Sequence, residues 1–289
     1  MNEAVKVMLE RYKCKSVNEY ENALKEIIHE ISLLGLWRSK FFEKAAFYGG
    51  SALRILYGLD RFSEDLDFSL LSPDQRFSLD AYCLAVESEL KSFGFSVVVE
   101  TKVKKIQTNI ESAFVKAGTF ENLIVIELSR AMTSKIQSNK LMKVKFEVDK
   151  NPPGDFQTEA KYLFQPIPFS VNTFTLPNLF AGKMHAILCR AWRNRVKGRD
   201  WYDLVWYAGR NISLNLRHLE ARMRQTKHLG DDEKLTRENL QQKLQERIQS
   251  TDWQAARKDV ENLLKDSSSL ALWSEDFFEA ICERIALER

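Results

Sequence analysis

No run of apolar residues in this chain approaches the ~18–20 that a membrane-spanning helix needs, so a membrane span is not expected. Cysteine is sparse. Cys14, Cys83, Cys189 and Cys282 stand far apart with no CxxC pair, and with only four histidines beside them no zinc-binding spacing is legible. Four free thiols fit a reducing compartment, and the cytoplasm is the expected location. Residues 1–15, MNEAVKVMLERYKCK, read as an amphipathic helix without the apolar core of a signal peptide. Charge imbalance is also small: a net +3 names no partner by itself. There is no internal repeat and no low-complexity tract, and five of the six prolines crowd into residues 152–177.

What is present is ordinary for a soluble globular protein, with 44% hydrophobic and 29% charged residues. The length of 289 residues suits two modest domains. We read a helical segment over 1–38, a mixed α+β core over 39–175 and a helical domain over 176–289. The proline cluster marks the connection, without regular helix. Helices are expected at 4–12 and 18–35, the second opened by a Ser16/Glu19 capping box and striped with Leu24, Ile27, Ile28, Ile31 and Leu34. Residues 41–47 read as a short helix or turn, and 78–93 as a helix. Strands are expected at 95–104, 122–129 and 141–149. Beyond the prolines come helices at 177–193 and 199–209 and a basic segment at 214–227. Further helices are marked by Leu240/Leu244/Ile248, by Trp253/Ala256/Val260, and by a Ser274 cap.

The most informative stretch is FYGGSALRILYGLDRFSEDLDFSL, from Phe47 to Leu70. In a strand, Asp65 and Asp67 point to one side while Leu66 and Phe68 point to the core. Adjacent carboxylates repel, and an oxygen-preferring cation such as Mg²⁺ relieves the repulsion. Upstream, Gly49-Gly50-Ser51 offers close backbone approach, a hydroxyl and a helix N-terminus, all suited to phosphate. It is not a P-loop, because no GK[ST] follows. Each element alone is common; a glycine turn, a helix and a carboxylate strand in succession suggest a metal-dependent enzyme acting on nucleotide phosphates.

Residues 141–149, LMKVKFEVD, alternate cleanly: Val144, Phe146 and Val148 on one face, Lys143, Lys145, Glu147 and Asp149 on the other. That charged face belongs either to solvent or to a site, where it could add a third acid and a lysine. Farther on, Lys183 lies at the edge of an apolar helical stripe, where it must snorkel or meet an anion, and Arg190 shares its side. Asp200 and Asp203, three apart, either pair with nearby arginines or orient an attacking hydroxyl. Residues 176–230 carry eleven Lys/Arg against three Asp/Glu, a local +8 that leaves about −5 for the remainder. Such a patch fits a solvated face or a surface for phosphates or RNA.

With these residues in view, the chain resembles the AbiEii/AbiGii toxin family of the nucleotidyltransferase superfamily, found in toxin–antitoxin and abortive-infection systems. GGSALRILYGLDRFSEDLDF is similar to the family's first motif, KVKFEVD to its second, and LFAGKMHAILCRAWRNRVKGRDWYDL to its later ones. The resemblance spans about 47–204. It implies a nucleotidyltransferase fold, a small mixed sheet flanked by helices, with a helical C-terminal domain that completes the active site. It also implies two Mg²⁺ ions, an NTP substrate, an RNA acceptor (the tRNA 3′ end in relatives) and a cognate antitoxin. By carry-over, Gly50 and Ser51 hold phosphates, with Lys145 and Arg190 as further phosphate contacts. Asp65, Asp67 and Glu147 bind metal; Asp149 shares the strand face with Glu147, so the third ligand is open between them. Lys183 contacts the triphosphate, and Asp200 or Asp203 is the accessory catalytic group. Transfer onto a protein or small molecule, or a non-catalytic nucleotide-binding regulator acting through a partner, are the alternative readings.

Overall fold

The structure is a computed structural model that describes residues 2–95, 97–102, 110–117, 142–190 and 196–288. It divides into two compact units. The first comprises Met1–Gly58, Phe62–Pro152 and Glu159–Thr173; the second comprises Leu59–Arg61, Pro153–Thr158 and Phe174–Arg289.

In the first unit, helix α1 (Glu3–Glu10) precedes the long α2 (Val17–Arg38). The Ser16 side chain caps α2 by accepting from Glu19 N at 3.2 Å, while Glu19 reaches back to Lys15 N at 2.6 Å. A 3₁₀ turn (Phe41–Glu43) then leads to β1 (Ala45–Tyr48), α3 (Gly49–Tyr57), β2 (Asp65–Leu70) and α4 (Asp80–Ser92). Strands β3 (Val98–Lys102), β4 (Ile110–Ala117), β5 (Met142–Asp149), β6 (Thr158–Leu163) and β7 (Phe169–Phe174) follow. The sheet is mixed, in the order β3-β4-β5-β2-β1-β7-β6. β1 runs antiparallel to β2 and parallel to β7, and β2 runs parallel to β5. One face packs an aromatic row, with Phe68 centred 5.0 Å from Phe41, 5.2 Å from Phe47 and 6.2 Å from Phe146. α2 and α4 meet at Gly35, where a Cβ would lie 3.1 Å from Val86 Cα.

The expected α+β architecture with a mixed sheet is present, and two local readings are corrected. Residues 45–48 form a strand where a short helix or turn was expected: so brief an apolar run carries no period, and pairing with both β2 and β7 decides it. The proline-rich stretch contains β6 and β7. Pro166 and Pro168 lie in the turn between them, and β6 ends the strand order, where prolines are tolerated nearby. β4 was not anticipated at all, and the strand expected at 122–129 lies outside the described residues.

Within α2, residues 23–36 are buried apart from Lys25, the polar Glu26, His29, Glu30 and Ser32 included. Glu30 pairs with Arg11 through both oxygens at 3.1 and 3.0 Å, and Glu26 accepts from Tyr12 at 2.9 Å and Arg54 at 2.6 Å. His29 is fully enclosed and donates to the Glu64 carbonyl; burial holds its pKa down at about 3. An unfolded histidine titrates near ~6.5. Below that pH the unfolded chain takes up a proton that folded His29 refuses. Its stabilising contribution is therefore complete above ~6.5 and is lost as pH falls toward the folded value, by about 1.4 kcal/mol per pH unit. Urea unfolding at pH 7, 6 and 5 is expected to show a shallower loss for His29→Gln than for the wild type; identical slopes would contradict this.

The second unit contains α5 (Leu176–Cys189), α6 (Gly198–Gly209), α7 (Leu216–Gln225), α8 (Arg237–Gln249), α9 (Trp253–Glu261), a 3₁₀ turn (Ser268–Leu272) and α10 (Glu275–Glu283). Its core is aromatic: Trp253 stacks on Phe278 at 4.3 Å, and Trp201 meets each edge-on at 5.0 Å. Ser274 caps α10 by accepting from Phe277 N at 3.2 Å. Among the described residues no helix is long and apolar enough to cross a membrane.

Candidate active site

The alternation of β2 and β5 builds a polar face on the sheet. Their parallel register sets Asp65 beside Lys145, Asp67 beside Glu147 and Ser69 beside Asp149. Partnered residues project to the same side. Leu66, Phe68, Phe146 and Val148 take the opposite, buried face. The side chains of Asp65, Asp67, Lys145 and Glu147 thus share one surface, half-buried rather than freely solvated. Asp149 stands one pair farther along and accepts from Asn151 N at 3.0 Å. Glu147 pairs with the Lys145 ammonium on its own strand.

The glycine pair opens α3 directly behind this face. Gly49 has φ +82°, and a Cβ there would lie 2.6 Å from Asp67 Oδ2. Glycine is required twice over, for its left-handed backbone and for the close approach. Gly50 lies in the first turn, whose N–H groups have no intrahelical acceptor and no side-chain cap, the arrangement that favours an anion. Ser51 is placed differently from the sequence expectation. It is buried, and its hydroxyl donates to the Asp65 carbonyl, tying the helix start to the first carboxylate of β2. That proton is therefore spent on the Asp65 carbonyl. Gly49→Ala is expected to push Asp67 aside and lower activity by about 10²-fold, as misplacing a reacting group by ~1 Å does. A steady-state rate assay checks this, and activity within threefold of wild type would contradict it.

The second unit holds its own charged cluster. Lys183 on α5 meets anions rather than snorkelling: its Nζ lies 2.6 Å from Asp200 and 2.7 Å from Asp203, both on α6. Arg190 reaches Asp200 at 3.1 Å. Asp203 is wholly buried, and both its oxygens accept from Arg61, each at 2.6 Å. Burial alone would raise the Asp200 pKa; Lys183 and Arg190 outweigh it and hold the carboxyl below its usual range. Arg61 is also buried, yet Asp203 keeps it firmly protonated. Tyr202 donates to Asp60 at 2.9 Å, a second tie between α6 and the Leu59–Arg61 segment. Arg61 was not foreseen. It stands 142 residues from Asp203, and no local pattern links them.

The sequence profile of the nucleotidyl transferase AbiEii toxin family, of the type IV toxin–antitoxin system, matches residues 31–281. The chain belongs to this family. An AbiEii nucleotidyltransferase is thus an enzyme and a toxin by class, using an NTP and a divalent metal. Two solved structures share the fold. MenT4, a nucleotidyltransferase toxin from Mycobacterium tuberculosis H37Rv, aligns with TM-score 0.60 at 16% identity, covering 96% of this chain and 88% of that one. JHP933 from Helicobacter pylori aligns with TM-score 0.51 at 17% identity, covering 91% and 90%. No curated protein matches the chain in sequence.

The carboxylates of the β2–β5 face fit a divalent metal. Asp65, Asp67 and Glu147 offer only hard carboxylate oxygen, with no sulfur or imidazole beside them in the strand register, which suits Mg²⁺ rather than a thiophilic ion.

Proposed function

We propose that this AbiEii nucleotidyltransferase transfers a nucleotide from an NTP to an RNA acceptor, the 3′ end of a tRNA, and so blocks translation. The carrying observation is the β2–β5 register, which aligns Asp67 with Glu147 and Asp65 with Lys145 on one polar face. Asp65, Asp67 and Glu147 would hold Mg²⁺, two ions per site, which would supply positive charge beside the phosphates. The register favours Glu147 over Asp149 as third ligand, since only Glu147 partners an aspartate directly.

The remaining residues bind and orient. The first turn of α3, at Gly50 and Ser51, offers backbone N–H groups to the phosphates. Lys145 supplies a cation on the same face and shifts from Glu147 to phosphate when substrate enters. Lys183 contacts the triphosphate, and Arg190, exposed over 44% of its side chain, contacts phosphate as well. Asp200 and Asp203 act as positioning residues. Both are buried and anchor Lys183, and the Asp200 carboxyl, held below its usual range by Lys183 and Arg190, is a weak base. The local +8 of residues 176–230 suits a polyanionic acceptor and predicts salt-sensitive affinity. A cognate antitoxin is the expected protein partner.

The test is direct. Purified protein is incubated with each α-labelled NTP, Mg²⁺, and either total RNA or protein extract. Label in RNA at tRNA size supports the proposal. Label in protein alone would assign the other acceptor class. Nucleotide binding with no label above an Asp67→Asn control would instead indicate a non-catalytic regulator.

A further inference from the structure

The four histidines and four cysteines show no metal-binding spacing along the chain, yet three of them meet in the second unit. His185 and Cys189 are one helical turn apart on α5 and so share a face. His228 follows α7 and is placed by that helix's C-terminal cap. Lys227 adopts φ 60°, its N–H donates to Arg224 O at 2.9 Å, and His228 N donates to Met223 O at 2.8 Å. This is the Schellman pattern, with a lysine in the left-handed position glycine usually takes. The result is a group in which one ring nitrogen of each histidine and the thiol sulfur all lie within 4.8 Å of one another. Among the described residues it is the one set of three candidate ligands gathered so closely.

A second observation concerns the rings. Thr226 Oγ1 lies 2.9 Å from His185 Nε2 and 2.9 Å from His228 Nδ1, and also 3.0 Å from Arg222 O. A hydroxyl has one proton. Donating it to the Arg222 carbonyl leaves the oxygen to accept from both imidazoles, so each ring keeps one unprotonated nitrogen. With His185 Nδ1 and His228 Nε2 as the ligating atoms, Thr226 is the outer acceptor that histidine ligands of metals ordinarily have. Cys189 and His228 also line a cleft of ≈ 310 Å³ whose charged residues are Glu246, Lys243 and Arg247, so solvent can enter and one carboxylate stands among the cations.

We propose that His185, Cys189 and His228 form a binding site for a divalent transition metal of the zinc class, separate from the carboxylate face of the sheet. Two imidazoles and a thiolate suit zinc and not magnesium. Tetrahedral coordination at bonds of ~2.0–2.3 Å sets donors ~3.3–3.8 Å apart, so small side-chain rotations close the site. Water or Glu246 completes it. On binding, the Cys189 thiol gives its proton to solvent and the sulfur lone pair to the metal, with no redox change. The metal then ties the end of α5 to the end of α7, bracing the helix that carries Lys183.

The test uses full-length, untagged, chelator-treated protein titrated with Co²⁺ and followed by absorption. One equivalent per chain is expected, with thiolate-to-cobalt charge transfer and tetrahedral ligand-field bands that Zn²⁺ then abolishes. Cys189→Ser should remove the charge-transfer band, and His228→Ala should weaken Zn²⁺ binding at least about tenfold. Wild-type protein supplies a check that needs no variant: Zn²⁺ should protect Cys189 from alkylation, mapped by mass spectrometry, while Cys14 stays reactive. Cobalt bound without a thiolate band, an unchanged band in Cys189→Ser, or alkylation of Cys189 indifferent to Zn²⁺ would each overturn the proposal. None of these readouts involves NTP, so failure here leaves the nucleotidyl-transfer reading intact.

Discussion

Asp67→Asn is expected to abolish nucleotidyl transfer, with kcat/KM lower by about 10³-fold or more, while the fold survives. Asparagine keeps the shape of the side chain that packs against Gly49, where a Cβ would meet Oδ2 at 2.6 Å. What it loses is the charge. A neutral amide oxygen holds a divalent cation opposite Glu147 far more weakly than a carboxylate does, and the developing charge on the phosphates is poorly neutralised. Removing a single transition-state donor already costs about 10²–10³-fold; losing a metal ligand removes more, and a factor of 10³ corresponds to about 4 kcal/mol. Stability should not fall, because one of three neighbouring carboxylates has been discharged. Transfer assays with α-labelled NTP beside thermal unfolding separate the two effects. In cells overexpressing the chain, the same change should restore growth. Near-normal transfer, or growth arrest without transfer, would count against catalysis at this face.

The second large effect is on stability. Arg61→Ala is expected to cost about 3–5 kcal/mol, the usual penalty for removing one partner of a buried ion pair. Both side chains are enclosed, and the guanidinium donates to both Asp203 oxygens at 2.6 Å. Lys183, 2.7 Å from the same carboxylate, softens the loss but cannot fill the space. Replacing both partners with apolar groups, Arg61→Met with Asp203→Leu, should recover much of the difference, since no uncompensated charge is then buried. Tryptophan fluorescence in urea reports this well: Trp201, Trp206, Trp253 and Trp273 all lie in the second unit. A single variant as stable as wild type would show that the pair is not the anchor its burial implies.

What was legible in the sequence was what local periodicity encodes. The alternation of 141–149, the apolar stripe of α2 and the Ser16 and Ser274 caps are near-neighbour patterns, and each appears in the structure close to its expected place. The carboxylate strand was legible for the same reason, since two aspartates flanking one apolar residue share a face in any strand. β1 was not legible, because four residues carry too little pattern and its identity comes from strands on either side. Ser51 was read as a hydroxyl suited to phosphate, and only the fold reveals the Asp65 carbonyl that takes its proton. Arg61 with Asp203, and His228 with Cys189, are pairs made by tertiary folding between residues with no periodic relation. Lys183 fell between: its position at the edge of an apolar stripe demanded a partner, but not which one.

The central claim is that the β2–β5 register defines the catalytic face, and one comparison tests it most directly. Glu147→Gln and Asp149→Asn remove equivalent charges two residues apart on one strand, one beside Asp67 and the other beside Ser69. Initial rates of label transfer from α-labelled NTP, at saturating Mg²⁺ and RNA, should fall by about 10²-fold or more for Glu147→Gln, the order of loss for a transition-state contact. Asp149→Asn should stay within a few-fold of wild type. The reverse ranking, with Glu147→Gln active and Asp149→Asn inactive, would contradict the register and the site built on it.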